Sequence, residues 1–181
     1  MFLRKTRVEP LPVTMSAVRM GERVLQIGVD DPRVASAIAA KVGLSGNAAI
    51  AVTDERDAAR AQAATTNAGI LVDVKVTPLV PLPFDNDMFD LVVVHARRGP
   101  ISSLDAHARV EAMSEWRRVL RHGGRVMTIE AGPATGLTSL FKQHRTNDSY
   151  DIVTALEAAG FRPVRVLGER EGYRFTEGMK S

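Results

Sequence analysis

Acidic side chains and one histidine stand at the ends of apolar runs in this sequence. Asp30 and Asp31 follow "VLQIGV", Asp54 follows "AAIAVT", and His95 and Glu130 come near the ends of "MFDLVVVHA" and "RVMTIEA". Open α/β sheets bind ligands at the carboxyl ends of their strands. Carboxylates there can bind hydroxyl or ammonium groups, and a histidine or glutamate can take up a proton. The pattern predicts a ligand site with His95 and Glu130 as candidate catalytic residues.

The same residues also have structural interpretations. Asp31 is suited to capping a helix, with Pro32 in its first turn and Gly43 at its end. Asp54 is equally suited to capping a helix that begins near Glu55. A single histidine at a strand end is more often structural than catalytic. The spacing alone leaves both interpretations open.

The elements that position these residues follow a regular order. Short β-rich runs alternate with longer alanine-rich helical patterns, which predicts a parallel sheet with crossover helices. Five strands are expected over 23–28, 48–53, 70–76, 88–96 and 125–131, and two more around a turn at Gly172. "HGG" (122–124) is expected to end the helix before the fifth of these strands.

Composition limits the class of protein. A chain of 181 residues with 45% apolar content suits one domain, here 21–181, preceded by an N-terminal segment 1–20. The net charge of +3 is dispersed, so no nucleic-acid partner is predicted. Cysteine is absent, and the histidines show no metal-ligand spacing. No run approaches a membrane span of about 20 residues, so a cytoplasmic protein is expected.

Three segments resemble one family, the class I S-adenosylmethionine-dependent methyltransferases, and in particular its quinone-biosynthesis branch. They are "LPFDNDMFDLVVV" (82–94), "EWRRVLRHGGRVMTIE" (115–130) and "LEAAGFRPVRVL" (156–167). The resemblance implies a three-layer, Rossmann-like α/β fold. Its seven-stranded, mostly parallel sheet would have the order 3-2-1-4-5-7-6, with strand 7 antiparallel.

The resemblance is weakest in the first loop, where the family has a "D-x-G-x-G-x-G" pattern. "QIGVDDP" places Gln26 at the acid and keeps Gly28, but has Asp30 and Pro32 at the other two glycines. Carboxylates beside a helix N-terminus would repel the pyrophosphate of a dinucleotide. S-adenosylmethionine carries an ammonium and a sulfonium, so its binding is disfavoured less.

Other positions carry over individually. Asp54 stands where the family has an acid for the ribose hydroxyls, and Leu79 stands close to the position of an adenine-binding aspartate. The cofactor-binding residues that the resemblance implies are Gln26, Gly28, Asp30, Asp54, Glu55, Leu79 and His95. No metal site is implied.

The function expected is S-adenosylmethionine-dependent methyl transfer to an unknown small-molecule or macromolecular acceptor, in a protein that forms a homodimer. The stretch 132–148 is the longest available for a lid. The alternative is a non-catalytic binding or scaffolding module that keeps the fold but has lost the cofactor, because a fold can persist after its site is lost.

Overall fold

A computed structural model describes residues 9–132 and 152–181 of the chain. The strands are β1 Arg23–Ile27, β2 Asn47–Val52, β3 Asp73–Val76, β4 Phe89–Ala96, β5 Leu120–Ala131, β6 Val164–Arg170 and β7 Tyr173–Met179. The helices are α1 Leu11–Met15, α2 Pro32–Val42, α3 Glu55–Asn67, α4 Ala106–Val119 and α5 Ile152–Ala158, with a 3₁₀ helix at Pro100–Ser103. Nearly all of the lid predicted at 132–148 lies outside the described residues.

The seven strands form one sheet in the order β3-β2-β1-β4-β5-β7-β6. Strands β1 to β5 pair in parallel, whereas β7 pairs antiparallel with both β5 and β6. This confirms the predicted fold class and strand order. Parallel strands run in the same direction, so the carboxyl ends of β1, β2, β4 and β5 lie along one edge of the sheet.

Helices cover both faces of the sheet. One apolar cluster joins the sheet to α2 and α3 through residues such as Ile38 and Ala61. The other joins the opposite face to α4 and α5 through Trp116 and Leu156. Because both faces are covered, β4 is buried along most of its length, as its apolar run predicts.

The first crossover helix begins and ends where the sequence predicts. The side chain of Asp31 accepts the backbone N–H of Arg33 at 2.9 Å, Pro32 occupies the first turn, and Gly43 ends α2 with a φ of 68°. These contacts satisfy groups that a helix terminus otherwise leaves without partners.

The helix end predicted at "HGG" is wrong. Helix α4 ends at Val119 and passes directly into β5, so that 122–124 lie within the strand. The two glycines pair with the end of the chain: Gly123 donates its N–H to Lys180, and Lys180 donates its own N–H to Gly124. Glycine at 123 permits the positive φ of 72° that this irregular pairing requires.

The segment before β1 packs against the domain. Val13 of α1 is 1% exposed and belongs to the cluster beneath α2. The guanidinium of Arg125 binds Glu22 at 2.8 Å and the carbonyl of Ala17 at 2.8 Å, which ties this segment to β5. Across 9–132 and 152–181, no helix has the length and apolar content needed to cross a bilayer.

Candidate functional site

The turn after β1 requires glycine. Gly28 has a φ of 74°, and a Cβ built there would lie 3.1 Å from the carbonyl oxygen of His95. Only glycine adopts this backbone conformation without strain while the two strands stay so close. Gly28 therefore allows β1 to turn next to β4 at the carboxyl edge of the sheet.

The next two residues are used differently. Asp31 caps α2, as described above, whereas Asp30 Oδ2 accepts the backbone N–H of Arg97 at 3.0 Å. Burial raises the pKa of the Asp30 carboxyl, and the backbone N–H groups of Arg97 and Arg98 oppose that shift. Asp30 thus ties the β1–α2 turn to the chain that leaves β4.

Gln26 and His95 form a buried pair behind this turn. Gln26 Nε2 donates to the carbonyl of Ala35 at 2.8 Å, and Gln26 Oε1 lies 2.9 Å from His95 Nε2. Because that amide oxygen can only accept, the proton of neutral His95 is assigned to Nε2, and Nδ1 keeps the lone pair. The amide oxygen and nitrogen of Gln26 are thus both bonded inside the protein, and among the described residues Gln26 lines neither of the two cavities described below.

Burial also sets the charge of His95. It lowers the pKa of His95 from the usual 6.5 to about 4, and the negative charge of Asp31 offsets part of the shift. The imidazole is therefore neutral at pH 7. A general base works best when its pKa lies near the pH of the reaction. With a pKa of about 4, His95 is a poor proton acceptor near neutral pH.

The turn after β2 is exposed. Asp54 Oδ1 accepts the backbone N–H of Asp57 at 2.8 Å and caps α3, as the structural interpretation predicts. Neither Asp54 nor Glu55 lines either of the two cavities described below. One turn further along α3, Asp57 does, together with Arg60, whose guanidinium binds the Asp57 carboxylate at 2.6 Å.

These turns surround a cavity of about 230 Å³ at the carboxyl ends of β1, β2 and β4, which we call the strand-edge cavity. Its walls include Gly28, Asp30, Thr53, Leu79, His95 and Ile101. Of the predicted cofactor residues, the structure thus brings Gly28, Asp30, Leu79 and His95 together. Thr53, Asp57, Arg60 and Ile101 were not predicted from the sequence. Thr53 belongs to no distinctive motif, and the other three reach this edge through the packing of α3 and the 3₁₀ helix against the sheet.

A larger groove of about 1330 Å³, which we call the outer groove, runs from this edge along α2. Asp30, Arg60, His95 and Arg98 line both spaces. Arg97 and Tyr173 line the outer groove alone. The two spaces therefore share a wall that contains His95.

Glu130 lies apart from His95. In the sheet, His95 pairs with Ile129 and Glu130 with Ala96. Neighbouring residues of a strand point to opposite faces, so Glu130 is on the face opposite His95, and it lines neither space. The structure does not bring the two predicted catalytic residues together. Within 9–132 and 152–181, no cluster of three or more acidic or histidine side chains could hold a metal ion.

A comparison with protein families identifies the class. Residues 25–128, which run from β1 to β5, match the model of the family described as "Methyltransferase domain". The match covers more than half of the chain, and the chain belongs to this family. Family membership supports S-adenosylmethionine as the cofactor, as the sequence resemblance implies.

Among curated proteins, the chain is similar to the ubiquinone/menaquinone biosynthesis C-methyltransferase UbiE of Cupriavidus metallidurans. The two are 25% identical over 163 residues, which is 90% of this chain and 61% of that protein. UbiE of Hydrogenovibrio crunogenus is 28% identical over 125 residues, covering 68% of this chain and 47% of the relative. The chain therefore spans less than two thirds of the length of these relatives.

Solved structures share the fold. A crystal structure of a SAM-dependent methyltransferase from Aquifex aeolicus superposes with a TM-score of 0.76 at 17% identity, over 93% of this chain and 87% of that one. A SAM-dependent O-methyltransferase from Thermotoga maritima gives 0.65 at 18% identity, over 93% and 63%. At such identities the likeness concerns the fold alone.

The residues of the strand-edge cavity are compatible with part of S-adenosylmethionine, which carries two positive groups and a carboxylate. Asp30 and Asp57 could face the positive groups and Arg98 the carboxylate, while Arg60 is paired with Asp57, and Val29 and Leu79 offer apolar surface to an adenine. The cavity of about 230 Å³ is smaller than typical small-molecule sites of roughly 300–1,000 Å³. A ligand of this size would therefore extend past the shared wall into the outer groove.

Proposed function

We propose that this protein is an S-adenosylmethionine-dependent methyltransferase that acts on a small molecule bound in the outer groove. The observation that carries the proposal is the strand-edge cavity itself. It lies at the carboxyl edge of the sheet, is opened by Gly28, and shares a wall with a second space large enough for an acceptor. A family match over 25–128 supports the same activity.

When bound, S-adenosylmethionine supplies a methyl group on a positively charged sulfur. The protein's contribution is to orient the partners, because positioning accounts for much of the acceleration in such a displacement. His95 is neutral and lies in the shared wall, so it adds no positive charge beside the sulfonium. Its Nδ1 lone pair can accept a hydrogen bond from an acceptor hydroxyl or amine.

The low pKa of His95 bears on the chemical class of the methyl acceptor. As a weak base, His95 would leave the proton on an ordinary alcohol, so an acceptor that depends on His95 would have to be nucleophilic without strong base assistance. A nitrogen, an acidic phenol or an electron-rich carbon meets that condition. The proposal also includes a cytoplasmic location. It further includes a homodimer, whose mass sedimentation equilibrium would measure.

Isothermal titration calorimetry with S-adenosylmethionine and S-adenosylhomocysteine tests the cavity directly. At 100 times its dissociation constant, either ligand should stabilise the protein by about 2.7 kcal/mol. Thr53→Trp places a large side chain at the exposed rim of the cavity and should abolish binding without unfolding the protein. Thr66→Trp, at an exposed site on α3 outside the cavity, is the matched control.

Two results would contradict the proposal. One is the absence of binding at millimolar ligand, which would favour the non-catalytic module that the sequence also allows. The other is equal binding by wild type and Thr53→Trp, which would locate the cofactor elsewhere.

A further inference from the structure

Arg97 is held in an unusual environment at the end of β4. Its guanidinium lies 4.2 Å from the centroid of the Tyr173 ring, and its Nε is buried without a hydrogen-bond partner. The salt bridges among the described residues include neither Arg97 nor Arg98. A buried donor without an acceptor costs free energy, so an acceptor supplied by a ligand would be favourable.

The guanidinium is also oriented before any ligand arrives. Tyr173 stacks on Phe175 with ring centroids 5.7 Å apart and an interplanar angle of 22°, while Arg97 covers Tyr173. A planar guanidinium that stacks on an aromatic ring uses its face, so its two Nη groups stay available for a two-point contact with a carboxylate. Because the side chain is already ordered, less conformational entropy is lost on binding.

The position of Arg97 indicates which ligand it serves. Arg97 and Tyr173 line the outer groove but not the strand-edge cavity, whereas Arg98 lines both. The proposed cofactor fills the strand-edge cavity and reaches past the shared wall, so both ligands would enter the outer groove. Because Arg97 lines that groove alone, we assign it to the acceptor, and competition with S-adenosylhomocysteine tests the assignment. His95 lies in the wall between them.

The surroundings favour an anion of single charge. The groove is lined by three carboxylates and four guanidiniums, so its formal charge of about +1 suits a singly charged anion better than a phosphate dianion; these groups are Glu9, Asp30, Asp31, Arg33, Arg60, Arg97 and Arg98. Val34 and Ile129 supply apolar surface beside the charged groups. On these grounds, and relying on the proposed function, we propose that the methyl acceptor carries a carboxylate that binds Arg97, next to an apolar body.

Sodium benzoate is a simple probe of this site, and benzamide is its uncharged counterpart. Calorimetry should show benzoate binding to the protein saturated with S-adenosylhomocysteine, and benzamide binding at least tenfold more weakly. Arg97→Gln should weaken benzoate binding by roughly tenfold to a hundredfold, the worth of a charge-assisted contact. Arg56→Gln, which removes an exposed arginine of α3 outside both spaces, should leave the affinity unchanged.

A second variant and a second measurement guard against misfolding. Arg97→Lys keeps the charge but loses the planar fork, so it should bind benzoate more weakly than wild type while keeping the melting temperature. In ¹⁵N-labelled protein, the Nε–H resonance that Arg97→Lys removes should shift on addition of benzoate and stay in place with benzamide.

The outcomes separate this inference from the proposed function. Absence of benzoate binding, equal binding of benzamide, or unchanged affinity in Arg97→Gln would overturn the carboxylate site. Competition between benzoate and S-adenosylhomocysteine would also overturn it, by assigning the guanidinium to the cofactor's own carboxylate. If S-adenosylhomocysteine does not bind but benzoate binds through Arg97, the methyltransferase proposal fails and the carboxylate site stands.

Discussion

In each of the turns that follow β1 and β2, an aspartate caps the helix that comes next. Asp31 caps α2 at 2.9 Å, and Asp54 caps α3 at 2.8 Å. The first turn is nevertheless tied to β4, through the contact of Asp30 with the Arg97 backbone and through Gly28 against His95. The second turn is exposed and makes no comparable connection among the residues described.

The difference shows that a cap and a ligand contact are separate roles. Both caps satisfy helix N–H groups, and this explains both aspartates without any ligand. What distinguishes the first turn is the buried network of Gln26 and His95 beneath it, in which Gln26 orients the imidazole and burial keeps it neutral. Perturbing this network should therefore have large effects on stability, whereas perturbing the second turn should mainly affect binding.

The largest expected effect is a dependence of stability on pH that originates in His95. Its pKa is about 4 in the folded protein and close to 6.5 when the chain is unfolded. Between these values the unfolded chain binds more protons, so the free energy of unfolding should fall as the pH is lowered from 6.5 to 4. The loss from this group is about 3 kcal/mol.

Urea unfolding at several pH values measures this slope. His95→Gln should remove most of it, whereas His107→Gln, at an exposed site on α4, should retain it. An unchanged slope in His95→Gln would show that the imidazole is not buried in its neutral form.

A smaller effect is expected from Gln26→Leu, which preserves the approximate side-chain size but removes the amide. The change leaves His95 Nε2 buried without its partner, whereas the carbonyl of Ala35 keeps its hydrogen bond within α2. We expect a loss of about 1–3 kcal/mol in the free energy of unfolding, which is the cost of one unsatisfied buried group. Gln62→Leu, on the exposed side of α3, should change stability by about 0.5 kcal/mol or less.

Local patterns of the sequence were enough to predict much of the first turn. Helix α2 begins at Asp31 and Pro32 and ends at Gly43, as predicted. These ends could be predicted because capping depends only on neighbouring residues. The strand order came from the resemblance of motifs such as 82–94 to a known family, and the structure confirms it. The positions of the strands were predicted from runs of apolar residues.

The network under the first turn could not be predicted in the same way. Gln26 and His95 are 69 positions apart, and only the parallel register of β1 with β4 brings them together. The error at 122–124 has a similar origin, since "HGG" pairs with the distant Lys180. Contacts set by register leave no periodic signal in the sequence.

Comparing the two capping aspartates tests whether Asp54 only caps α3 or also binds the ligand. Asp31→Ala and Asp54→Ala should each cost about 1 kcal/mol of stability. Only Asp54→Ala should weaken S-adenosylhomocysteine binding if the ribose contact implied by the resemblance is correct. Asp54→Ser keeps a good cap but shortens the side chain, so it should restore stability and leave the affinity low. Equal affinity in all three variants would restrict Asp54 to capping.

The smallest expected effect on stability comes from Arg60, which binds Asp57 at the rim of the strand-edge cavity. This ion pair is solvent-exposed, so Arg60→Ala should cost only about 0.5 kcal/mol or less. The variant frees the Asp57 carboxylate and removes a positive charge from the wall of a cavity proposed to hold a cation, so it should tighten S-adenosylmethionine binding. Arg56→Ala removes the same charge from the same helix outside that wall and should have a smaller effect. Weaker binding in Arg60→Ala would instead assign this guanidinium to the carboxylate of the cofactor, and the helix after the second turn would then contribute a cation to the site.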